Sequence, residues 1–148
     1  MNLIERLGVP DVTIGPLQIW VHGREFEHEH DYWDGNWLRV TAHCATAESK
    51  ATVQGPIIHL TELSAFTKQL KELDSSEREQ AQLLCIEPNL KVTLIKKADT
   101  LGHIDLKIQM TADNLTEEHR FHVHIDSSYL PSMIEGCNAI LKKFPIRG

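Results

Sequence analysis

The sequence predicts an α+β fold: a mainly antiparallel β-sheet system of about seven strands with two helices, the second C-terminal. Three observations carry this. Strand-like stretches come in runs rather than alternating one by one with helical stretches. The segment His103 to Met110 alternates cleanly, with Ile104, Leu106, Ile108 and Met110 on one side and His103, Asp105, Lys107 and Gln109 on the other, as in an antiparallel sheet with one wet face. The closing segment places Leu130, Met133, Ile134, Cys137, Ile140, Leu141 and Phe144 at helical spacing before Pro145.

The elements follow in order. Leu17, Ile19 and Val21 alternate with Gln18, Trp20 and His22 to give a first strand. Leu38, Val40, Ala42 and Cys44 alternate with Trp37, Arg39, Thr41 and His43 to give a second. Asp34-Gly35 in the loop between them reads as a tight turn, since glycine tolerates positive φ. A third strand covers Ala51 to Gln54, and Gly55-Pro56 punctuates it. Thr61 caps a helix whose face is Leu63, Phe66, Leu70 and Leu73. Strands at Gln82 to Ile86, Lys91 to Ile95, His103 to Met110 and Arg120 to Ile125 come next. Ser127 or Ser128 caps the last helix, Pro131 fits its amide-poor first turn, and Lys142 and Lys143 suit its negative end.

A chain of 148 residues, 41% hydrophobic and 24% charged, is expected to fold as a single globular domain spanning residues 1–148. Its sequence shows no internal repeat. No apolar run has the length of a membrane span, and the first residues lack the basic and apolar regions of a signal peptide, so the expected compartment is cytoplasmic. The formal charge of −6 argues against nucleic-acid binding and suits a cationic partner. Cys44, Cys85 and Cys137 are far apart, form no CxxC, and read as buried free thiols.

The most informative run is Asp31-Tyr32-Trp33-Asp34-Gly35-Asn36-Trp37-Leu38, which holds two of the three Trp and one of the two Tyr. A second tag closes the chain: Tyr129-Leu130-Pro131, then Ile140-Leu141-Lys142-Lys143-Phe144-Pro145, then Gly148. Together they resemble the WapI family of small bacterial immunity proteins and their uncharacterised relatives, over roughly Leu17 to the C-terminus. The resemblance implies a cytoplasmic protein that binds and neutralises a toxin domain. It carries over no catalytic residue.

Candidate chemistry sits in two places. Glu25, Glu27, Glu29, Asp31 and Asp34 form an acidic segment broken by His28 and His30, and it can either steer a basic partner or serve as a solvated loop. Asp31 and Asp34 also suit turns. Tyr32 and Trp33 can supply an aromatic hot spot or pack the loop, whereas Trp37, which runs on into a strand, is expected to be buried. The second place is His122-Val123-His124, which puts two imidazoles on one strand face at a spacing that can serve zinc. Without an evident third or fourth donor, the expectation is no metal and no cofactor. No GxSxG, P-loop or HExxH occurs. The leading expectation is therefore a non-enzymatic, toxin-neutralising binding protein with Glu25, Glu27, Glu29, Asp31, Tyr32, Trp33 and Asp34 as partner-binding residues. The alternatives are a metal-binding protein or metal-dependent hydrolase on His122 and His124, and a structural or small-ligand module.

Overall fold

Eight strands and three α-helices form among the described residues, 2–97 and 102–148 of this computed structural model. They run α1 (Leu3–Leu7), β1 (Val12–Ile14), β2 (Leu17–Arg24), β3 (Trp37–Ala45), β4 (Lys50–His59), α2 (Leu60–Asp74), β5 (Gln80–Leu84), β6 (Leu90–Lys96), β7 (His103–Met110), β8 (His119–Asp126) and α3 (Leu130–Lys143). The strands make two antiparallel sheets, β1-β2-β3-β4 and β5-β6-β7-β8, each in sequence order. The two halves thus share one plan, four strands then a helix, without a visible sequence repeat. No helix of the described residues is long and apolar enough to cross a membrane.

Each helix leaves its own sheet to cover the other. α2 packs on β5 and on α3, while α3 packs on α2 and on β1. The crossing joins both sheets to one continuous hydrophobic cluster, from Val12, Ile14 and Leu17 through Phe66 and Leu70 to Leu106, Met133 and Cys137. Close approach at one point depends on glycine. A Cβ on Gly136 of α3 would lie 2.8 Å from the Asp11 carbonyl and 3.1 Å from the Val12 side chain.

The expected α+β class and the C-terminal helix stripe are present, with Leu130, Met133, Cys137 and Ile140 buried. Several boundaries differ for physical reasons. β1 has three residues, too few for a periodic signal. α1 is a single short turn whose following segment shields Trp20, with the indole Nε1 donating to the Gly8 carbonyl at 2.9 Å, so the outer face of β2 is partly dry. Gly55-Pro56 does not end its strand. β4 runs on to His59 with a bulge, since Leu38 pairs with Ile58 but Arg39 with Pro56. Among the described residues β4 is the edge strand beside β3, and a proline is tolerated on such an edge or at a bulge. The strand expected at Gln82 to Ile86 lies at Gln80–Leu84 instead.

Both helix starts also move. α2 begins directly after β4 with His59 at its cap, not Thr61, and the His59 amide donates to Glu62 Oε1 at 2.8 Å. Before α3, Asp126 rather than a serine caps a short 3-10 turn, Ser127–Tyr129, accepting from the Ser128 amide at 3.2 Å and from its hydroxyl. The three cysteines carry free thiols. Burial pushes Cys44 and Cys137 up to about 11. Cys85, just past β5 and only half-buried, is also raised, by desolvation and then by the charges of Glu62 and Glu87.

Candidate functional site

The bulge in β4 sets His59 opposite Trp37, the first residue of β3. Four rings gather there. The His59 ring stacks on Trp33 at 5.2 Å with 29° between planes, and meets Trp37 edge-on at 5.0 Å and Tyr32 at 5.6 Å. Trp33 and Trp37 are themselves T-shaped at 5.3 Å. His59 is 1% exposed, and both ring nitrogens are bonded. Nε2 lies 3.0 Å from the Trp33 carbonyl and Nδ1 2.6 Å from Thr61 Oγ1. A carbonyl only accepts, so Nε2 donates to it, leaving Nδ1 to accept from the threonine hydroxyl. Trp37 is buried at 6%, as expected, whereas Tyr32 and Trp33 remain 53% and 47% exposed. The buried histidine thus acts as a platform that fixes two half-exposed aromatics. Sequence reasoning passed over His59 because it sits in an apolar run 21 residues beyond the tag.

The loop carrying these rings is clasped by the closing segment. Asn36 is fully buried. Its Nδ2 donates to the carbonyls of Tyr32 at 2.6 Å and Arg147 at 2.9 Å, and its Oδ1 accepts the Arg147 amide at 2.8 Å. The Arg147 guanidinium donates to the carbonyls of Glu27 and Glu29, both at 2.7 Å. Arg24 donates to the carbonyls of Gly35 and Pro145 and lies 5.9 Å over the Phe144 ring. Burial, then the charge of Arg147, lowers the Arg24 pKa. The two sequence tags therefore meet in space.

Asp34-Gly35 is correspondingly not a hairpin turn. Asp34–Asn36 forms one turn of 3-10 helix. Gly35 is needed for close approach rather than for a positive φ: a Cβ there would stand 2.7 Å from the Glu29 carbonyl.

The acidic side chains lie on the outside of this clasp. Glu27, Glu29, Asp31 and Asp34 are exposed. Glu25 is half-buried and faces Arg39 at 3.9 Å. Asp31 Oδ2 accepts the Asp34 amide at 3.0 Å. That bond, outweighing a smaller opposing effect of desolvation, holds the Asp31 carboxyl below its ordinary 3.8. A carboxyl lowered in the folded state stabilises fully above its unfolded value, and loses that contribution as pH falls through the lower folded value. We expect the Trp33 environment, followed by tryptophan fluorescence, to change on acidification below about pH 4. Asp31→Asn should lessen that change. A fluorescence titration identical in both proteins would show that Asp31 does not hold the loop.

The model of the immunity protein WapI-like family matches residues 12–145. The chain belongs to that family. Comparison with curated proteins and with solved structures returns no match. The matched span takes in both sheets, the aromatic loop and α3, and so covers the platform, Arg24 and Asn36 but stops short of Arg147.

This WapI-like chain carries a second cluster, on the outer face of the other sheet. β7 and β8 pair so that Asp105 stands opposite His124 and Lys107 opposite His122. From the sequence, His28-Glu29-His30 with Glu27 and Asp31 could supply further ligands; those residues lie on the aromatic loop instead, and the sheet register supplies Asp105. Asp105 Oδ1 is 2.6 Å from His124 Nδ1 and 3.8 Å from His122 Nε2, while Oδ2 is 3.0 Å from Lys97 Nζ. The Lys97 hydrogen bond first, then the Lys97 and His124 charges, keep the carboxyl below its usual range. Both imidazoles are exposed and their rings lie 5.4 Å apart.

Proposed function

We propose that this chain is a single-domain, non-enzymatic binding protein of the cytoplasm that neutralises a toxin domain by docking it on the loop Glu25–Asp34. The observation that carries this is the pair Tyr32 and Trp33, half-exposed yet fixed on the buried His59 platform. Aromatics held in this way offer large contact area at little further entropy cost, which is how a few residues dominate an interface. Phe26, also exposed, extends the apolar surface. Family membership supports a protein partner for it. The surrounding carboxylates of Glu27, Glu29, Asp31 and Asp34 favour a partner that is cationic where it touches the loop.

The partner to test first is any toxin domain encoded immediately upstream of the gene. Glu27 and Glu29 bond Arg147 through their carbonyls, so changing their side chains leaves the clasp intact. We expect Glu27→Lys with Glu29→Lys to slow association more than it speeds dissociation, and the wild-type rate to fall with salt, since exposed charges steer encounter within about a 10 Å Debye length at 0.1 M. Trp33→Ala should act on dissociation instead. A folded charge-reversed protein that associates at an unchanged, salt-independent rate, with Trp33→Ala equally silent, would place the binding face elsewhere.

A further inference from the structure

We propose that Asp105, His122 and His124 form a binding site for one divalent transition cation, zinc foremost, separate from the aromatic loop. The donor atoms of the three side chains lie within 4.8 Å of one another. A tetrahedral zinc ion with bonds of about 2.0–2.1 Å needs donors roughly 3.3 Å apart. The contacts of 2.6 and 3.8 Å from Asp105 Oδ1 bracket that spacing, and both imidazoles are exposed, so seating an ion calls for rotation of the two rings. Two imidazole donors with one carboxylate favour zinc, nickel or copper over magnesium or calcium, which prefer all-oxygen shells.

The surroundings are built as a metal site would be. Asp105 is 6% exposed although it belongs to the wet face of β7. Lys97 occupies its Oδ2, which turns Oδ1 toward the histidines. That contact fixes the orientation of the carboxylate, although the lysine charge also lowers its basicity. The sheet register fixes the two histidines as well. His122 and His124 are two residues apart on β8, hence on one face, and Asp105 is directly cross-strand from His124. Three protein donors leave the fourth position open to water. The inference does not depend on the toxin-binding proposal, since the ligands lie on a different sheet from the loop.

The test is titration of tag-free full-length protein with zinc chloride by calorimetry, with cobalt(II) substitution read by visible absorption. The expected result is one zinc per chain. Affinity should fall at least tenfold in His122→Ala and in His124→Ala, with loss of the four-coordinate cobalt bands. His122 is exposed and 3.8 Å from Asp105, so His122→Ala should melt like the parent; His124→Ala also removes the 2.6 Å contact to the buried Asp105, so its affinity is read below its own melting transition. A His28→Ala, His30→Ala control, altering exposed histidines of the loop, should bind as the parent does. The proposal is overturned if binding is not saturable at one ion per chain. It is equally overturned if either β8 variant loses less than tenfold, or if the loop control loses as much as they do.

Discussion

Replacing Asn36 by alanine or by leucine should lower stability by about 2–4 kcal/mol, because each leaves partly buried backbone groups without partners. Four bonds disappear together: those to the Tyr32 and Arg147 carbonyls, that from the Arg147 amide and a longer one, 3.5 Å, from the Arg24 guanidinium. For a chain of this size the loss corresponds to a drop of very roughly 5–15 °C in melting temperature. Leucine is the sharper substitution. It keeps the branched shape without the hydrogen-bonding atoms but is bulkier, so it is read beside alanine: a loss shared by the smaller and the larger side chain points to the bonds rather than to space filling. Chemical denaturation gives the free energy, and amide exchange of residues 25–36 gives the location, since releasing the clasp should raise exchange there beyond the global change. Asn36→Leu within about 0.5 kcal/mol of the parent would show that the side chain only fills space.

The same bonds explain how the run Asp31–Leu38 is both a structural attachment and a candidate interface. Its second half, Gly35 to Leu38, is buried; its first half, Asp31 to Asp34, is exposed. The buried half attaches the loop to β3 and to the closing segment, and the exposed half is what that attachment presents. A substitution at Gly35 or Asn36 would therefore be expected to weaken partner binding without touching the partner, by freeing Tyr32 and Trp33 from the His59 platform. This separates two uses of the word signature: residues that build a loop and residues that contact something through it.

Periodic patterns carried most of the fold. Alternation located β2, β3, β6, β7 and β8, and helical spacing located α2 and α3, since each of these buries one face against a continuous cluster. What escaped was short or non-local. β1 is too brief to show a period, and Gly55-Pro56 looks like a stop because a bulge and a break share their local chemistry. The sites were legible only in part. The exposed carboxylates and the buried Trp37 follow from local context. His59 and Arg147 join the loop through contacts across 26 and 120 residues, and Arg24 ties it to Pro145 across 121, which no local pattern encodes. Asp105 was visible as a polar residue of β7, but its meeting with His124 depends on strand register, which a sequence without its pairing partners does not state.

Ending the chain at Asp126 should abolish the folded state. The deletion removes α3 with its buried Leu130, Met133, Cys137 and Ile140, which cover β1 and α2. At about 1.5–3 kcal/mol for each large apolar side chain buried, Leu130, Met133 and Ile140 contribute on the order of 5–9 kcal/mol, comparable to the whole stability of an ordinary domain. The loss is not confined to the second half of the molecule, because α3 covers the first sheet rather than continuing its own. A milder deletion, of Pro145 to Gly148 alone, removes the Arg147 bonds to Asn36, Glu27 and Glu29 but keeps the helix. It should leave a cooperative transition at reduced midpoint, with the loop 25–36 loosened. Circular dichroism and urea titration of the two truncations side by side distinguish the roles of helix and clasp. A cooperative, near-unchanged transition for the chain ending at Asp126 would mean that the first sheet and α2 close their core without α3, and that the crossing of helices between sheets is not what holds the two halves together.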